Sequence, residues 1–215
     1  MRVMLSTLAV YLIFSGHLLA GTGIAGAQSG AKKYTLNNAV GKNGIEFISD
    51  APMEKITGTA EGVGGSFAFD ASNIEATNGR IEVQVLSMKT ANSKRDGHMY
   101  GESWLDAAKF ATIAFDVKSL KDVKVVTKDG KSVVTATAIG SFTCHGVSKP
   151  SIAGITITYI AESPETQKRA SGNLVMIEAN FTVALAEHQI TGKAGMVGKD
   201  VGETIDIKAK LFANS

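Results

Sequence analysis

Three features of this chain predict an all-β protein. Apolar residues recur at every second position in segment after segment, the signature of half-buried strands. Glycine is abundant and proline scarce, 23 against 3, which suits many tight turns and sheet bends. Helical periodicity is sustained nowhere. Such strands, about eight to ten in number, either close into a barrel or pack as a sandwich, because open edges must be paired or covered.

The chain begins outside that pattern. Arg2 is followed by a nearly continuous apolar run, Val3 to Ala20, and then by the small-x-small triplet Ala25-Gly26-Ala27. This reads as a secretory signal peptide over residues 1–27, with Gln28 as the first mature residue and 28–215 as a single domain. The run also has the length of a membrane span, so an uncleaved anchor is the rival reading. No later segment is long and apolar enough to insert stably in a membrane.

The strands then follow in order. Tyr34 to Leu36 opens the β signal. Ile45 and Phe47 share a face of the next strand. Ile56 to Asp70 carries Gly62, Gly64 and Gly65 before Phe67 and Phe69 alternate with small residues, which predicts one strand with a bend. Ile81, Val83 and Val85 share a face. Ser93 to Val117 is the one long departure: it is rich in charged and aromatic residues, contains the single Trp, and ends in a clean strand from Thr112. Helical composition around Ser103 to Lys109 predicts a short helical turn capped by Ser103 or Asp106. Val123 to Thr127, Asp129-Gly130 and Ser132 onward read as a β-hairpin. Ser151 to Ile160, Val175 to Leu185 and Ile205 to Leu211 alternate to the end, with a polar loop from Ala161 to Asn173.

Composition excludes some functions. Apolar residues make up 44% of the chain and charged residues 20%, enough for a real core. The formal charge of +2 leaves no electrostatic footprint for nucleic acid. Cys144 is alone, so no internal disulfide forms, and the sheet core must carry the stability. Cys144 and His145 are neighbours on a strand and point to opposite faces, so they are not a nucleophile–base pair. No Gly-x-Ser-x-Gly elbow or phosphate-binding loop is present. The chain therefore reads as a non-enzyme without a resident cofactor.

Two stretches carry a family resemblance. Arg95-Asp96-Gly97-His98-Met99, then Trp104-Leu105-Asp106 and Lys109-Phe110, precede the strand Thr112 to Phe115. Further on stands Thr143-Cys144-His145-Gly146-Val147-Ser148-Lys149-Pro150. In order and spacing these resemble the YceI-like family over roughly Tyr34 to Ala213, with Thr90-Ala91-Asn92 where the family has Thr-Gly-Asn. The chain departs at Met99, Trp104 and Ala111, and at Ala186 to Ile190, where members carry a different turn. The resemblance implies an eight-stranded antiparallel lipocalin-like barrel with a short helical lid segment. It also implies a periplasmic or secreted setting, a possible homodimer, and a bound isoprenoid or other amphiphilic lipid.

Candidate ligand-binding residues are the inward aromatics and aliphatics Phe67, Phe69, Val83, Ile113, Phe115, Phe142, Ile157 and Phe181, together with Arg95, His98, Trp104 and His145 of the two motifs. The apolar ones either fill a solid barrel or line a cavity; residue type does not separate the two. Arg95 either staples the lid through its fork of donors or, with Lys149, meets an anionic head group. The rival function is a metal- or haem-associated protein using His98, His145 and His188, with Asp96 or Glu187 as further ligands. No paired-Cys or His-Glu-x-x-His spacing supports it.

Overall fold

The computed structural model describes residues 21–215, and the apolar leader up to Ala20 lies outside them. Eleven strands form one antiparallel sheet: β1 (Lys32–Leu36), β2 (Gly44–Asp50), β3 (Lys55–Ala60), β4 (Val63–Phe69), β5 (Asn78–Gln84), β6 (Met88–Lys89), β7 (Thr112–Lys128), β8 (Lys131–Cys144), β9 (Val147–Ile160), β10 (Leu174–Ala184) and β11 (Thr204–Asn214). One short helix, α1 (Ser93–Met99), lies between β6 and β7.

Eleven segments make eight barrel positions because three positions are each broken in two. β11 pairs with β1 at Ala213 and Asn214, and with β2 from Ile205 to Lys210. β1 pairs onward to β4, and β2 to β3. β4 pairs with β5, and β3 with β6. β1 and β2 are thus two halves of one position, as are β3 and β4, and β5 and β6. Five unbroken strands, β7 to β11, complete the ring. The predicted eight-stranded antiparallel barrel is what forms, closed through the pairing of β1 with β11, while β6 is paired on one side only, with β3.

The breaks divide the interior into two tiers. β1, β4 and β5 surround a packed core in which Tyr34, Phe69, Ile74, Val134, Ile157 and Val175 are each at most 1% exposed. Tyr34 stacks on Phe67 and meets the edge of Phe69. Each such side chain contributes about 1.5–3 kcal/mol by leaving water. β2, β3 and β6 belong to the other tier, beneath the lid.

Local expectations needed three corrections. Ile56 to Asp70 is two strands with different neighbours, since the chain turns at Glu61 and Gly62. Thr112 to Thr127 is one strand, with irregularities between Val117 and Ser119 and between Lys121 and Lys124 that preserve its pairing with β8. The helix is not at Ser103 to Lys109. It begins after Asn92, whose side chain accepts a hydrogen bond from the Arg95 N–H at 3.1 Å. Asp106 has a positive φ of 44°, so it turns the chain instead of capping a helix.

Candidate functional site

Beneath the lid, at the β2/β3/β6 end of the barrel, lies an apolar cavity of ≈ 410 Å³. Most of the elements at this end contribute to its wall. Phe47 of β2, Ile56 of β3 and Met88 of β6 come from the broken positions, and Ile113, Phe142, Cys144, Val183, Ile205 and Ile207 from β7, β8, β10 and β11. His98 and Met99 of α1 and Trp104 and Leu105 behind it form the roof. The loop between β10 and β11 adds Ile190, Met196 and Val201. Three methionines in the wall suit an irregular apolar guest, since the thioether chain is flexible and polarizable. Polar groups collect at the rim: Glu54, Asn92, Lys94, Arg95, Lys193 and Asp200.

The lid is fastened through side chains that the first motif supplies. Asp96, 6% exposed, accepts from the Thr90 N–H at 2.8 Å and the Thr90 hydroxyl at 2.7 Å. The Thr90 hydroxyl oxygen in turn accepts from Arg95 Nε at 3.1 Å. The Arg95 guanidinium also pairs with Glu54 on the β2–β3 turn. Burial pushes the Asp96 pKa up, but the Thr90 donors and the positive charges of Lys89 and Arg95 outweigh it, so the carboxyl titrates below its ordinary value. Of the two roles expected for Arg95, the structural staple is the one its partners support.

Aromatic rings press the lid onto bare backbone. The Trp104 ring lies over Gly192 and the Phe110 ring over Gly146. A Cβ at these glycines would come within 2.5 Å and 2.4 Å of the rings, and both have positive φ. No other residue meets both demands at little cost. His145 and His188 tie the β8–β9 turn to the β10–β11 segment. His145 Nδ1–H donates to the His188 carbonyl at 3.2 Å, and His188 Nδ1–H to the Val147 carbonyl at 3.0 Å. The His188 ring also packs edge-on to Phe142.

Of the residues singled out in the sequence, Arg95, His98, Trp104, Ile113 and Phe142 meet at the cavity. Phe67, Phe69 and Ile157 do not; they fill the other tier, because the break between β3 and β4 moves Phe67 and Phe69 to the far half of the barrel. Val83 faces inward beside Ile113 and is buried, but does not reach the cavity. Phe115 and Phe181 lie between the tiers, packed against both cores. His145 is a loop tie outside the wall. His98, His145 and His188 do not converge, and no group of three His, Cys, Asp or Glu side chains among the described residues is placed to hold a metal ion.

Sequence reasoning missed several wall residues. Ile205 and Ile207 alternate visibly in β11, yet nothing local marks them as lining and not filling. Ile190 enters the wall because Gln189, at φ 58°, reverses the chain after the short helical turn Leu185–His188. Met88, Met99 and Met196 carried no periodic signal. The Cys144 thiol faces the cavity, and burial pushes its pKa up to about 12 against a small lowering by the His145 N–H.

A second cavity of ≈ 470 Å³ lies at the opposite end, with Tyr34, Phe69, Tyr159, Lys32 and Glu162 in its wall. Part of that wall is the segment preceding the barrel. Ile24 N–H donates to the Ala71 carbonyl at 2.6 Å, Ile74 N–H to the Thr22 carbonyl at 3.0 Å, and the Ile24 side chain is only 7% exposed.

Comparison with known proteins agrees with this architecture. A UPF0312 protein of Pseudomonas fluorescens is 32% identical over 160 residues, covering 74% of this chain and 75% of the relative. Another from Ectopseudomonas mendocina is 27% identical over 192 residues, covering 89% and 94%. Among solved structures, BcnA of Burkholderia cenocepacia superposes with a TM-score of 0.61 at 14% identity, over 83% of this chain and 99% of BcnA. A polyisoprenoid binding domain from Saccharophagus degradans superposes with a TM-score of 0.55 at 15% identity, over 85% of this chain and 98% of that domain. The model of the YceI-like domain matches residues 34–213, and with the barrel, the lid and both motifs in place, this chain belongs to the YceI-like domain family.

Proposed function

We propose that this chain is an exported, non-catalytic carrier that holds an isoprenoid or similar amphiphilic lipid under its lid. The observation that carries this reading is the cavity itself. Its wall is mainly aliphatic, aromatic and thioether, and its charged side chains sit at the rim. An apolar chain entering it gains about 0.8 kcal/mol per CH₂ buried, while a polar head stays among Asn92, Lys94 and Lys193 near water. At ≈ 410 Å³ the cavity falls in the range of about 300–1,000 Å³ typical of small-molecule sites. The likeness to a polyisoprenoid binding domain supports the same ligand class.

The wall offers no nucleophile poised for reaction. Its thiol is held protonated by burial, and no base is paired with it. Export follows from the leader read in the sequence and would place the carrier in the periplasm or outside the cell.

Trp104, the single tryptophan, lies in the roof and reports on occupancy. Titration with farnesol or geranylgeraniol should shift and saturate its emission, and native mass spectrometry should show one lipid per chain. An unchanged emission, with no lipid extracted from protein made in its natural host, would overturn the reading.

A further inference from the structure

The cavity stops partway down the barrel, and three phenylalanines stop it. Phe142 lies in its wall, whereas Phe115 and Phe181 lie just below. The Phe181 ring meets Phe115 at 5.3 Å and 66°, and Phe142 at 5.4 Å and 67°, both edge-on. Phe115 and Phe142 are directly paired across β7 and β8, on the inward face. Phe181 reaches them from β10, so the three rings span the lumen. Phe115 and Phe181 pack against both buried cores, and no buried residue of the far core touches the cavity. Gly140 lets this layer close: a Cβ there would come within 2.8 Å of the Phe115 ring and 2.1 Å of the Asp116 carbonyl oxygen.

We infer that Phe115, Phe142 and Phe181 form a floor that sets the length of the chain this protein accepts, and that the preferred ligands are short prenyl chains. The inference rests on the lipid-binding reading above and deepens it. Edge-to-face rings at these separations attract each other beyond their buried area, so the floor resists displacement by an entering chain. A chain longer than the cavity must either part the rings or leave its tail in water. In the core beneath the floor Ala138 and Ala153 are small, so a removed ring opens depth on their side of the barrel.

The experiment is a length series (geraniol, farnesol, geranylgeraniol and a long polyprenol) titrated against the wild type and against Phe181→Ala and Phe181→Leu, with Trp104 emission as readout. The wild type should favour the shorter members and reject the polyprenol. Phe181→Ala should shift the preference toward geranylgeraniol over farnesol by about tenfold, the gain from about two more buried methylenes. Phe181→Leu keeps the site apolar and filled, so it serves if the alanine variant does not fold, and it should shift the preference the same way by less. An unchanged order of affinities in a folded variant overturns the floor while leaving lipid binding intact. A wild type that takes up no member of the series overturns lipid binding itself.

Discussion

The guanidinium of Arg95, on the lid helix, is paired with the carboxylate of Glu54, on the turn between β2 and β3. Both line the cavity rim, so the pair ties the lid helix to that turn. It is partly exposed, at 29% and 50% of the two side chains, and an exposed pair contributes only about 0–1 kcal/mol. The hydrogen bond from Arg95 Nε to Thr90 adds about 0.5–1.5 kcal/mol.

Arg95→Ala should therefore lower global stability by no more than about 2.5 kcal/mol but speed ligand release several-fold. Stopped-flow displacement read through Trp104 measures the rate, and Glu54→Gln should reproduce most of the effect. Retention and stability that both stay at wild-type values would remove Arg95 from the lid.

Asp96 is the more deeply set anchor. Asp96→Ala strands the Thr90 N–H and hydroxyl, and should cost about 1.5–3 kcal/mol. The sign of its pH dependence follows from its lowered pKa. A carboxyl titrating lower in the folded state stabilises the lid fully above the ordinary aspartate value, about 3.9, and loses that contribution as the pH falls through the lower folded value. Trp104 emission should report lid opening in that acid range, and Asp96→Asn should remove this transition.

Cys144 should be nearly inert to alkylation in the folded protein. A pKa of about 12 leaves little thiolate at pH 8. Relative to the ordinary value of 9.0, thiolate falls about a thousandfold. The greater nucleophilicity of a basic thiolate recovers roughly half of this on a logarithmic scale, leaving about a thirtyfold slowing before shielding by the wall. Iodoacetamide kinetics on native and urea-unfolded protein check this, and equal rates would contradict the buried position.

The Ile24 contact bears on processing. A chain beginning at Gln28, as the Ala25-Gly26-Ala27 triplet predicts, lacks a side chain worth about 1.5–3 kcal/mol when buried. Compared with a chain beginning at Gly21, it should melt lower by roughly 3–12 °C. Equal melting temperatures would mean that residues 21–27 add nothing to the domain, and intact-mass analysis of exported protein would show which form exists.

The barrel could be read from residues because strand alternation is a local property. Val175, Ile177, Phe181 and Val183 declare their common face without any partner. The lid could be read as an irregular insertion, and the motif singled out Arg95, His98 and Trp104, which the fold brings to the cavity wall. The breaks were harder. Glu61 and Gly62 look like one more bend in a strand, and only the pairing of β3 with β6 and of β4 with β1 shows that two strands meet there.

That difference decided the site. The sequence alone established an all-β chain with inward rows of apolar side chains, a lone cysteine and a polar-aromatic lid. It did not separate Phe47 and Ile205, which line a cavity, from Phe69 and Ile157, which fill a core, because all four obey the same alternation. Depth along the barrel axis is fixed by where each broken strand joins its neighbours, a long-range property of closure. The edge-on meeting of Phe115, Phe142 and Phe181 arises from three strands at once, so the floor of the cavity exists only in the folded barrel.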